Sequence, residues 1–151
     1  MVNLPTLANS SLNAITVVAP NDIWAVGYSG TGPLTLRYNG NTWSVVASPS
    51  PNDTRFRDTT RQYGISANIS NDIWAADTRL RSYSGAGDFT RHTYFTEILH
   101  WNGATWRIVV SPDPSANTSQ LFGIARVTAN DVWAVGNVDF TNTLIERYTS
   151  P

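Results

Sequence analysis

Ile15–Gly27 reads ITVVAPNDIWAVG, and the phrase returns twice: Ile65–Asp77 reads ISANISNDIWAAD, and Ile124–Gly136 reads IARVTANDVWAVG. Each copy opens on Ile, carries Asn-Asp at its seventh and eighth positions, and continues with Ile or Val, Trp and Ala. The copies are offset by 50 and 59 residues, a spacing that belongs to repeated supersecondary units. A second block follows each phrase. It reads LTLRYNGNTWSVVASP over Leu34–Pro49 and TEILHWNGATWRIVVSP over Thr96–Pro112. The third copy, TLIERYTSP, reaches Pro151 before any Asn-Gly-x-x-Trp.

The phrase predicts four short strands per unit. In the first unit these are strand a over about 12–18, b over 23–28, c over 34–38 and d over 42–47. Asn39-Gly40 and Asn102-Gly103 are hairpin signals of the type I′ kind, in which both central residues have positive φ. Pro20-Asn21-Asp22 and its counterparts form the a–b turn, where Asp22, Asp72 and Asp131 are expected to hydrogen-bond to the turn backbone; the alternative is a metal-ligand role. Strand b is apolar on both faces (Ile23, Trp24, Ala25, Val26), so its sheet must be covered on both sides. Four-stranded units arranged around an axis cover one another. The expected fold is therefore all-β: a β-propeller of four-stranded antiparallel blades, with blade 1 over about 12–49, blade 2 over about 62–112 and blade 3 over about 120–151.

Composition narrows the function. The chain has 151 residues, a net charge of −1, 41% hydrophobic and 14% charged residues, which excludes a charge-driven disordered tail and a general nucleic-acid binder. No apolar run is long enough for a membrane helix, and the first residues, MVNLPTLANSS, do not read as a signal peptide. There is no Cys, and all ten basic residues are Arg, so thiolate, Schiff-base and P-loop chemistry are absent. No cofactor is expected, and two His in different contexts make no zinc site. Hydrolysis by paired carboxylates is poorly supported, since the only Glu are Glu97 and Glu146 and the Asp sit mostly in turns.

The NDIWAVG…YNGNTW and NDIWAAD…HWNGATW units resemble a family of Trp-rich bacterial β-propeller repeats and, more loosely, the tectonin and tachylectin type of propeller lectin. The resemblance covers nearly the whole chain and implies a propeller and a lectin-like binding role. The Gly-Gly pair of kelch repeats and the sialidase Asp box are missing.

The third unit lacks strand d, and residues 1–8 resemble a strand d without its Trp. Propellers have about four to eight blades. Three blades leave an apolar face and a strand edge open, so the expected partner is a second copy, giving a six-bladed head-to-tail homodimer with N-terminal strand exchange. The competing expectation is a fragment of a longer repeat protein.

Binding is expected on the end of the propeller that carries the b–c and d–a connections. Residues 48–62 and 78–94 read as long loops there. The candidate ligand residues are Arg55, Phe56, Arg57, Arg79, Arg81, Tyr83, Asp88, Arg91, His92 and Tyr94. Guanidinium and aromatic groups suit a carbohydrate or small anionic ligand; the alternative is Arg–Asp pairing within the loops. His100 aligns with Arg37 and Arg147 and is expected to point outward from its strand. The Trp are expected to be core residues; the lectin alternative would use one or two of them, with the sugar stacked between blades. The leading expectation is a non-enzymatic binding module, with a structural or protein-interaction propeller second and a glycan-active hydrolase third.

Overall fold

The computed structural model describes residues 4–50, 57–84, 90–114 and 118–149. The strands are β1 (Ser10–Ala19), β2 (Asp22–Ser29), β3 (Gly32–Tyr38), β4 (Trp43–Val46), β5 (Arg57–Ile69), β6 (Asp72–Ser84), β7 (Thr90–Trp101), β8 (Trp106–Val109), β9 (Ser119–Thr128), β10 (Asp131–Val138) and β11 (Asn142–Thr149). They form three antiparallel sheets, ordered β1-β2-β3-β4, β5-β6-β7-β8 and β11-β10-β9. Each sheet is one sequence unit, and neighbouring sheets pack face to face through β1 with β5 and β5 with β9. This is a propeller-like stack of three blades with blade 2 in the middle. No helix among the described residues is long and apolar enough to cross a membrane.

Packing explains why strand b carries apolar residues on both faces. Trp24 and Val26 point from blade 1 into a cluster with Ile65, Ile73, Ala75, Leu99, Trp101 and Trp106 of blade 2. The Trp24 ring lies 5.2 Å from that of Trp101 and 5.9 Å from that of Trp106. One blade further on, Trp74, Ala76 and Ile98 meet Leu121, Val132, Ala134 and Leu144 of blade 3. Each blade thus presents its strand-b Trp to the next.

The two end faces lack such neighbours. Trp24 and Trp74 are 0% and 1% exposed, whereas Trp133 on blade 3 is 39% exposed, with Val135 and Ile145 beside it. On the opposite face of blade 1, Ile15, Val17 and Val45 are exposed, although Ile65, the blade 2 counterpart of Ile15, is buried.

Several expectations need correction. The c–d turns are not type I′. Only Gly40 and Gly103 have positive φ, both 94°. Asn39 instead folds its side chain back, its Oδ1 accepting from the amides of Asn41 and Thr42, and Asn102 does the same for Ala104 and Thr105. The Gly is needed because the turn packs on the a–b turn of its own blade: a Cβ on Gly40 would lie 2.8 Å from that of Asn21. The b–c connections are tight in blades 1 and 3, around Gly30 and around Asp139-Phe140. In blade 2 the expected loop is a continuation of β6 and β7, paired from Asp77–Glu97 out to Ser84–Thr90. The last part of the expected d–a loop, 57–62, is likewise the start of β5, and 51–56 lie outside the described residues. Finally, residues 4–7 form no strand, and Leu7 packs on Ala25, Leu34 and Leu36 of blade 1, covering part of its outer face. Residues 1–3 lie outside the described residues.

Candidate functional site

The Asn-Asp-x-Trp phrase builds a brace. Asp and Trp two residues apart in a strand share a face, and the register places Arg37, His100 and Arg147 directly opposite Trp24, Trp74 and Trp133. Trp24 Nε1 and Arg37 Nε donate to Asp22 Oδ1 at 2.9 and 2.8 Å. Trp74 Nε1 donates to Asp72 Oδ1 at 2.7 Å, and His100 Nε2 lies 3.0 Å from the same oxygen. Arg147 spans both oxygens of Asp131 at 2.8 and 3.1 Å. The three Asp are therefore bound by side chains of their own sheet, which replaces the expected turn-backbone role. His100 does not point away: its ring stacks on Trp74 at 4.2 Å. Arg126 of blade 3 also reaches Asp72 through Nε at 2.8 Å and through its terminal nitrogen, tying blades 2 and 3 together. Burial pushes the Asp72 carboxyl up, but the Arg126, Trp74 and His100 bonds outweigh it and hold the group below the usual carboxylate range.

Blade 2 departs from its neighbours at one layer. Leu12, Gly27 and Leu34 lie side by side across blade 1, and Leu121, Gly136 and Leu144 across blade 3. The same three places in blade 2 hold Gln62, Asp77 and Glu97. All three are buried against blade 1, where Thr35 Oγ1 donates to Gln62 Oε1 at 2.8 Å. Glu97 pairs with Arg79 at 2.9 Å; Arg79 and Arg81 both reach Asp58, at 3.3 and 3.1 Å. Among the described residues neither oxygen of Asp77 has a partner of good hydrogen-bond geometry, and Gln62 beside it offsets its burial only in part. Desolvation, then the Glu97 charge, raise Asp77 well above the usual range, and desolvation raises Glu97 to about 7. The layer was legible as Asp at the thirteenth place of a phrase that otherwise ends in Gly.

The expected ligand residues do not share one surface. Arg55, Phe56 and Asp88 lie outside the described residues, and Arg57 is described only as the first residue of β5. Arg79, Arg81, Tyr83 and Arg91 fall on one face of the β6–β7 hairpin and His92 and Tyr94 on the other, because a strand alternates. The Arg79 and Arg81 side chains are only 16% and 18% exposed and are committed to Asp58 and Glu97. Tyr83 and Arg91 line a cavity of 380 Å³ with Thr93 and Phe95. His92 Nδ1 lies 3.1 Å from Ser82 Oγ.

The other hairpin face meets the inner strands at the mouth of the propeller. There, each inner strand carries a β-bulge at the same place, with Asn13, Tyr63 and Phe122 as the extra residues. Bulges re-aim side chains out of a sheet. Tyr63 and Phe122 meet edge to face at 5.5 Å, and Tyr94 meets Phe140 at 5.7 Å. Between them lies a cavity of 280 Å³ lined by Arg61, Tyr63, Leu80, Tyr94 and Gln120 among others. The exposed Arg61 holds its guanidinium 4.5 Å over the Tyr28 ring and makes no ion pair among the described residues. Arg61 and Tyr94 belong to the segments the sequence singled out; Tyr63 and Phe122 were not legible, since a bulge leaves no compositional mark. Among the described residues, no three His, Cys, Asp or Glu side chains are grouped to hold a metal ion.

No protein-family model and no curated protein sequence matches the chain. Among solved structures it is similar to the propeller protein in "YCF48 bound to D1 peptide", with a TM-score of 0.62 and 17% identity over 99% of this chain. The chain spans 40% of the length of that one. At this identity the likeness is one of fold: a β-propeller-like architecture.

Proposed function

We propose that the chain is a non-enzymatic binding module that completes a six-bladed ring with a second copy of itself and takes a carbohydrate or small anionic ligand on its b–c/d–a end. The observation that carries the ring is the exposure of Trp133, 39% where its two equivalents are 0% and 1%. Blade 3 offers the surface that Trp24 and Trp74 present to a following blade, and blade 1 offers Ile15 and Val17 where blade 2 receives Trp24. A head-to-tail contact joins these two unlike faces twice and closes. In it, the N-terminal segment of each chain, already lying on blade 1, comes beside the unpaired edge of β11 on the other. The binding role is supported by the aromatic mouth with its Arg, and by the similar YCF48 structure having a peptide bound. The non-enzymatic reading is supported by the burial of the facing carboxyls Asp77 and Glu97.

Sedimentation equilibrium tests the ring. The expected mass is twice the 16.6 kDa chain, falling to the single-chain value in Trp133→Asp. A wild-type chain that stays single at tens of micromolar overturns the ring. Screening against glycans and small anions, with loop-end variants beside wild type, tests the ligand face.

A further inference from the structure

Of the guanidinium groups whose surroundings are described, Arg37, Arg79, Arg81, Arg126 and Arg147 each face a carboxylate of their own chain. Arg61 does not. Its guanidinium carbon lies 4.5 Å over the Tyr28 ring, a cation–π contact that leaves its N–H donors without a carboxylate among the described residues and suited to a planar, two-oxygen acceptor. It borders a 280 Å³ cavity whose other walls are the rings of Tyr63 and Tyr94 and the side chain of Leu80, with Thr59 and Gln120 at the polar margin. That volume is near the lower limit of small-molecule pockets, about 300 Å³, and suits one ring-sized group. One positive charge without an ion pair among the described residues matches one negative charge; a phosphate dianion would call for more. The bulge at Tyr63 and the tight turn at Phe140, which abuts Tyr94, hold the two tyrosines in place from different blades.

We infer that this cavity is a binding site for a carboxylate attached to a flat apolar group, with Arg61 taking the carboxylate and Tyr63, Leu80 and Tyr94 enclosing the apolar part. The inference deepens the reading of the loop end as the ligand face and rests on it. The carboxylate belongs either to a free small acid or to the C-terminus of a peptide ending in an aromatic residue.

The test is an NMR titration of the ¹⁵N-labelled chain with phenylacetate, phenylacetamide, and a tripeptide ending in Phe with its C-terminus free or amidated. Phenylacetate is expected to shift the Arg61 Nε–H resonance and the signals of Tyr63 and Tyr94, and phenylacetamide is not. Arg61→Gln is expected to weaken binding by roughly tenfold or more, the scale of one charge-assisted hydrogen-bonded pair. Arg107→Gln, on the exposed side of β8, is expected to leave it unchanged. Tighter binding of the free-ended tripeptide than of phenylacetate assigns the carboxylate to a chain terminus, and the reverse order to a small acid; both support the site. Equal binding of acid and amide, or binding untouched by Arg61→Gln in a variant that keeps its native spectrum, overturns it. A glycan that binds the loop end equally well in wild type and Arg61→Gln also overturns it, while leaving the binding-module reading in place.

Discussion

Asp77 stands directly opposite Glu97 in the β6–β7 ladder, and both carboxyls are buried against blade 1. Facing carboxyls in a dry interface cannot both ionise cheaply, so protonation of this pair is coupled to the packing of blades 1 and 2.

The first expected outcome is a loss of stability with rising pH. Glu97 holds its proton up to about 7 in the fold, against 4.5 ordinarily. Between those values the unfolded chain releases a proton that the folded chain keeps. The stabilisation is whole below 4.5 and is lost as pH climbs through 7. One such group is worth about 3 kcal/mol across the window. Asp77, also raised, adds in the same direction. Asp72, with its lowered pKa, acts at more acid pH and in the opposite sense, its contribution being lost as pH falls. Urea unfolding at pH 5 and pH 8 should show a drop in wild type that shrinks in Glu97→Gln. Parallel curves for the two proteins would refute the coupling.

Restoring the layer found in the other blades should stabilise the chain. Gln62→Leu, Asp77→Gly and Glu97→Leu together recreate the Leu–Gly–Leu of blades 1 and 3. Arg79 keeps Asp58 and Thr35 keeps Ser48 as a neighbour at 2.7 Å, so neither is stranded. Replacing buried charged groups with apolar ones typically gains about 1–4 kcal/mol. The gain should be greatest at pH 8; a triple variant less stable than wild type at that pH contradicts it.

Asp72→Ala should be the costliest of the three brace substitutions. It leaves the 8%-exposed side chain of Arg126 without its carboxylate and removes the acceptor of Trp74 and the partner of His100. Breaking a buried pair costs about 3–5 kcal/mol. Asp131→Ala, at an exposed pair on the end face, should cost clearly less when both are measured by chemical denaturation.

Gly40→Ala should destabilise by more than 1 kcal/mol, roughly the penalty for a left-handed residue, because the added methyl also meets Asn21. Thermal melting of this variant beside Gly30→Ala separates the two effects: Gly30 has φ 58° but open space around it. Equal losses would mean the contact with Asn21 contributes nothing.

The blade plan was legible because the recurring Asp, Trp and cross-strand Arg or His are all needed at each interface, so the phrase cannot drift. The boundaries of β1 to β4 fall within a few residues of those read from the sequence. The hairpin extension was harder to see. Thr78–Tyr83 and Thr90–Phe95 hold charged and hydroxyl side chains that read as loop, yet their alternation already separated Arg79 and Arg81 from Leu80. What decided their structure was pairing between distant segments, Asp58 with Arg81 and Tyr94 with Thr118, which local composition does not record. The candidate site shared this fate. Arg61 and Tyr94 were in view, but the residue between them, Tyr63, is placed by a bulge.

Near the hub, a Cβ built on Gly64 would come within 3.0 Å of the Gly123 backbone, so blades 2 and 3 touch there main chain to main chain. In blade 1 the matching place is Ala14. How tightly a propeller curves depends on how near adjacent blades come at the centre relative to the rim. Between blades 2 and 3 that close approach depends on a missing methyl, and a single side-chain carbon at position 64 would have to part the two blades at their inner strands.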